Sequence, residues 1–67
     1  MSIVKVIEIL SDSPNSWEEA TKNAVATASK TVKNIKCVWV KDQSAVVSGD
    51  KVTGFRVTLK VSFLVNS

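Results

Sequence analysis

Apolar and polar residues change their period along this chain, and each change marks an element. From Ile3 to Leu10 the only charges are Lys5 and Glu8, and the apolar positions are rich in β-branched side chains, which predicts a strand of about seven residues. Ser11-Asp12-Ser13-Pro14-Asn15 is a cluster of turn formers, and Ser16-Trp17-Glu18-Glu19 has capping-box spacing, Ser followed by Glu at the third position beyond it. A helix is predicted to open at Trp17. Apolar or small residues then recur at Trp17, Ala20, Ala24, Ala28, Val32 and Ile35, with Val25 beside them, while Glu18, Lys22, Ser29 and Lys33 take much of the opposite side. That spacing is one buried stripe on a helix of about 18 residues. Its Ala content allows close approach to whatever it covers, and Lys30, Lys33 and Lys36 would close it as cations complementing the helix dipole.

From Lys36 the period becomes two. Cys37, Trp39 and Lys41 fall on one side of a second strand and Val38, Val40 and Asp42 on the other, so the valines face a core and Trp39 faces outward. A bend or bulge is expected over Asp42 to Ser44, before Ala45-Val46-Val47, and Ser48-Gly49-Asp50-Lys51 reads as a hairpin turn in which Gly takes a positive φ. In the last strand Phe55, Val57, Leu59, Val61, Phe63 and Val65 alternate with Arg56, Thr58, Lys60 and Ser62, which gives one apolar face and one mainly polar face.

The order is β-α-β-β, an α+β fold. A strand-helix-strand unit leaves the first two strands parallel, so an antiparallel sheet must put the third between them, in the order 1-3-2. One helix covers one face of such a sheet and leaves Cys37, Trp39, Arg56, Thr58 and Lys60 on the other. No repeat, linker or low-complexity stretch interrupts residues 1–67, which are expected to form a single domain.

Composition now bears on how such a domain is stabilised. For 67 residues and 7.3 kDa, apolar burial contributes on the order of 100 kcal/mol and conformational ordering costs about as much. Small domains escape that balance through disulfides, a structural metal or association. Cys37 is the sole cysteine and there is no His, so an internal disulfide and a zinc site of His/Cys type are both excluded, and association remains. The missing His also removes most acid–base and nucleophilic triads, and Cys37 has no imidazole to activate it, so no enzyme is expected. The start MSIVKVIEIL has no secretory pattern, and no apolar run approaches the length of a membrane span; a cytoplasmic protein without membrane association is expected. The net charge of +3 is spread over the chain, with one Arg, no Tyr and no aromatic RNA-binding motif, which argues against a nucleic-acid partner.

The start Val4-Lys5-Val6-Ile7-Glu8-Ile9, the dipeptide Ser13-Pro14, the helix opening Ser16-Trp17-Glu18-Glu19-Ala20 and the last strand Phe55 to Phe63 together resemble the dodecins, small β-α-β-β proteins that assemble into hollow spheres of twelve subunits. The resemblance spans nearly the whole chain. It implies a homo-oligomer with a small-molecule ligand, because flavin-binding dodecins hold FMN or riboflavin between Trp side chains of symmetry-related subunits, with a Gln of the last strand on the ring. Aligned on the second strand, that Trp falls on Cys37 and the Gln on Arg56, while Trp39 stands two residues further along. Cys has no ring face, and Arg only donates where Gln both donates and accepts. Similar replacements occur in a branch of the family that includes calcium-associated members. The implied protein is a non-enzymatic ligand-binding or storage shell with an altered flavin pocket; the alternatives are a flavin-sequestering dodecin and a calcium-type structural shell.

The candidate ligand-binding residues are therefore Cys37, Trp39 and Arg56. Trp39 reads either as a packing anchor between subunits or as a ligand contact displaced about 7 Å along the strand. Cys37 reads as a small buried filler. Arg56 reads either as an interface ion-pair member, with Glu8, Glu18, Glu19, Asp42 or Asp50 of a neighbouring subunit as partner, or as the contact for an anionic group. Trp17 reads as packing, and the carboxylates are too scattered for a calcium loop within one chain.

Overall fold

A computed structural model describes residues 3–65. Strand β1 covers Ile3–Ser13, helix α1 Trp17–Ala28, strand β2 Ile35–Ser48 and strand β3 Lys51–Val65. The sheet is antiparallel in the order β1-β3-β2, as the connectivity requires.

Strand β1 is longer than its apolar run. Ser11, Asp12 and Ser13 are turn formers by composition, yet they continue the ladder opposite Val57, Arg56 and Phe55, because the long β3 offers them partners. The helix is shorter than its stripe: it ends at Ala28, where the expectation was about 18 residues. Ser29 caps it, and the Val32 N–H still reaches the Ala28 carbonyl at 2.8 Å. Asn34, at φ 63, then turns the chain so that Ile35 enters the sheet opposite Phe63. Ile35 thus contributes to the core from a strand. Lys30, Lys33 and Lys36 do not close the helix; they lie in the turn, the connection and β2, and the last helical turn carries no cation.

The capping box forms by half. The Glu19 N–H donates to Ser16 Oγ at 2.9 Å, but the Glu19 carboxylate turns to Ser13 Oγ and Asn15 Nδ2 instead of the cap backbone. Ser13, almost fully buried, is the hub of this corner: its hydroxyl donates to Glu19 and accepts from the Asn15 and Ser16 N–H groups. The two side-chain donors, Ser13 first, hold the Glu19 carboxyl below the usual carboxylate range. On the far side of the helix start, Trp17 meets Phe55 edge-on at 4.9 Å between centroids, and its indole N–H donates to the Ser44 carbonyl at 2.9 Å. These contacts fix where α1 sits on the sheet.

The core is the inner row of β3, Val57, Leu59 and Val61, with no exposed surface, pressed against Ala20 and Ala24. Ile7 and Ile9 of β1, Trp17, Ile35 and Val38 surround it, so the small helix residues allow the close approach that the sequence pattern anticipates. Val40 also points inward, opposite Leu59, but remains 37% exposed. Beyond Val40 a register shift leaves Lys41 as the extra residue on β2, so Asp42 pairs with Thr58 and joins the outer face. This corrects the placement of Asp42 on the core side: strict alternation carries no information about an inserted residue.

Gly49 closes the hairpin with φ 64 at the first position of a two-residue connection, a conformation that L side chains seldom adopt. The chain measures 52 × 19 × 13 Å, with a radius of gyration of 13.8 Å against about 11 Å for a compact chain of this length. Its accessible surface is 4813 Å², against about 4,200 Å² for a monomer of its mass. Among the described residues, no helix is long and apolar enough to cross a membrane.

Candidate functional site on the outer sheet face

Strand register builds the outer face row by row. Val6, Ser62 and Cys37 form one row; Glu8, Lys60 and Trp39 the next; then Leu10, Thr58 and Asp42; then Asp12, Arg56 and Ser44. The side strands supply exposed apolar groups, Leu10 at 66% and Trp39 at 62% exposure, with Val4 and Val6 also open, while the central strand is polar. Nothing within the described residues packs on this side as α1 packs on the other.

Cys37 and Trp39 come together in a shallow depression of about 380 Å³, lined also by Val6, Lys60 and Ser62. The Lys60 ammonium stands 5.4 Å from the centre of the Trp39 ring, a cation–π contact that stiffens both side chains. A planar ligand would have to displace that cation to stack on the same face of the indole. Ser62 Oγ donates to the Cys37 carbonyl at 3.3 Å, which ties β2 to β3 at the depression's floor. Cys37 is exposed, so the expectation of a buried filler does not hold within the subunit: its side of the sheet has no covering layer.

Arg56 lies elsewhere on the face. It is four residues from Lys60 along β3, about 13 Å, and its guanidinium is 3.7 Å from Asp12, directly opposite it on β1. Asp12 is not among the acidic partners expected for Arg56 on a neighbouring subunit; the extended β1 brings the two together within one chain. Arg56 and Asp12 flank a second depression, with Pro14, Val46 and Gly54. Lys41 reaches across the face to Glu8 at 3.2 Å.

These distances decide which ligands one subunit can hold. Calcium takes six to eight oxygens at about 2.3–2.6 Å. Among the described residues no three of His, Cys, Asp and Glu converge; of the outer carboxylates Glu8 and Asp12 already face cations, and Asp42 forms no ion pair among the described residues. A flavin ring finds Cys37 without a stacking surface and Trp39 with a lysine over it. A single subunit therefore presents separate polar and aromatic parts of a site, and no complete one.

A three-stranded antiparallel sheet in the order 1-3-2, covered on one side by a single helix and open on the other around Trp39, is the architecture of the dodecins. The dodecin family model matches residues 3–66, and the chain belongs to that family. A calcium dodecin from Mycobacterium tuberculosis is 45% identical over 64 residues, covering 94% of this chain and 89% of that protein. The crystal structure of the calcium dodecin from Mycobacterium tuberculosis, described as having a novel calcium-binding site, superposes with a TM-score of 0.81 at 39% identity, over 91% of this chain and 87% of that one. A dodecin from Streptomyces coelicolor gives a TM-score of 0.94 at 26% identity, over 98% and 94%.

Proposed function

We propose that this chain is a non-enzymatic subunit of a hollow homo-oligomer of twelve, acting in the cytoplasm, which binds or stores a small ligand at contacts between subunits. Residues 1–67 act as one domain in this reading. The observation that carries it is the open outer face, where Val4, Val6, Leu10 and Trp39 stand exposed around a polar central strand. Burying that face against neighbouring subunits supplies the stabilisation that one disulfide-free subunit lacks. It also explains a surface larger than that of a compact monomer.

The ligand site is then assembled from the Cys37–Trp39 depression and the Arg56–Asp12 region of adjacent subunits. Its chemistry departs from a flavin pocket at Cys37 and Arg56, and Lys60 competes for the face of Trp39. A calcium-binding shell is the second reading, supported by the 45% identical calcium dodecin; its oxygen ligands would have to converge across subunits.

Native mass spectrometry tests the assembly, and a stable 7.3 kDa monomer at micromolar concentration overturns the whole reading. Titration with riboflavin or FMN, followed by flavin fluorescence, tests the pocket: little quenching is expected, whereas strong quenching restores the flavin reading. Calorimetric titration with calcium, repeated after dialysis against chelator, separates the ion-binding shell from one that holds an organic ligand.

A further inference from the structure

The hairpin between β2 and β3 continues past the rest of the sheet. Strand β1 ends at Ser13, opposite Phe55, but β2 and β3 go on pairing through Val46 with Gly54, Val47 with Val52, and Ser48 with Lys51. Over this length the sheet is a bare two-stranded ribbon, which is marginally stable in water when nothing covers it. Its tip carries two valines directly opposite each other, Val47 at 60% and Val52 at 54% exposure. Next to them is Asp50, which forms no ion pair among the described residues.

Toward the opposite end, a groove of about 510 Å³ runs between α1 and the free edge of β1. Ile7, Ile9, Ala24, Ala28 and Val32 give it an apolar lining, and Lys30, also without an ion pair among the described residues, contributes a cation. β1 pairs with β3 alone, so its other edge is open along this groove. The arm cannot fill the groove of its own chain: Ile7 lies opposite Val61, nine residues from Val52 along β3, or about 30 Å.

We infer that the hairpin arm of one subunit seats in the α1–β1 groove of a second copy, with Val47 and Val52 on the apolar lining and Asp50 against Lys30. This rests on the oligomeric reading above and specifies one of its contacts. The contact joins different surfaces of the two copies, each subunit giving an arm and receiving one, and its repetition closes a ring when the rotation it imposes is a whole fraction of a turn. An apolar pair enters an apolar groove, an unpaired anion meets an unpaired cation, and a marginal ribbon and an open strand edge are covered together.

Native mass spectrometry with dilution is the test. The double variant Val47→Lys/Val52→Glu keeps an attractive cross-strand pair in the ribbon but replaces both anchors, and its assembly is expected to dissociate at a protein concentration at least about tenfold higher than wild type. Asp50→Lys and Lys30→Asp are each expected to weaken assembly by a similar factor, and the two together to restore it. Circular dichroism confirms that each subunit remains folded. Unchanged assembly in the valine variant, or a double reversal no better than its worse single, overturns the arm contact and leaves the oligomer standing. A wild-type chain that is monomeric removes the oligomer, and this contact with it.

Discussion

The two faces of β3 carry similar numbers of residues and behave oppositely. On the inner face Val57, Leu59 and Val61 are fully buried beneath Ala20 and Ala24. On the outer face Arg56, Lys60 and Ser62 lie between exposed apolar groups of the flanking strands, and the interactions there are ion pairs, a cation–π contact and one hydroxyl hydrogen bond. The inner face holds the subunit together. The outer face contributes little to a lone subunit, since solvent-exposed ion pairs of this kind are worth about 0–1 kcal/mol. Apolar groups left on it are available for association, which makes it the face on which function can be built.

That division can be broken most severely from the inside. Leu59→Ala removes the largest fully buried side chain and is expected to destabilise the fold by about 2–5 kcal/mol, read by chemical denaturation. A loss comparable to that of an exposed position would contradict the inner face as the source of stability. Trp39→Ala should act on the opposite side of the division: secondary structure stays intact while assembly or ligand binding weakens by about 2 kcal/mol, measured by dilution and titration. A Trp39 variant that unfolds the subunit would show that the outer face is structural after all.

Smaller effects sharpen the comparison at the helix start, where neither face dominates. Ser16→Ala removes the side-chain acceptor for the Glu19 N–H and should cost about 1 kcal/mol, again by denaturation. Glu19→Gln tests the polar corner through pH. Because the Glu19 carboxyl titrates below its unfolded value, its contribution is present above the ordinary carboxylate pKa and lost as pH falls through the lowered one. The melting-temperature difference between wild type and Glu19→Gln should therefore be largest near neutral pH and shrink in acid; a difference that persists in strong acid would assign the effect to packing.

Most of the architecture was legible in the chain. Alternation in β3 announced both of its faces, the Ala spacing of α1 matched the residues that became buried, and connectivity alone set the sheet order. The errors cluster where a partner outweighs local preference. Ser11 to Ser13 are turn formers recruited into β1 because β3 continues beside them, and Ile35 fits the helical stripe but is taken by the sheet. The bulge expected over Asp42 to Ser44 falls one residue earlier, at Lys41, and it sends Asp42 to the face opposite the one expected. In the candidate site, Cys37 and Trp39 were correctly placed on one face by parity, whereas the Asp12 partner of Arg56 and the Lys60 cation over Trp39 are cross-strand neighbours. Pattern along one strand says nothing about which residue stands beside it on the next.

By itself, then, the sequence determined the elements, their order and the inner face, because periodicity and connectivity are properties of the covalent chain. Only the tertiary structure decided the register, and with it every pairing on the outer face. Register is a choice among long-range alignments, settled where the inner valines and Leu59 meet Ala20 and Ala24, and the outer residues take the neighbours that this packing assigns them.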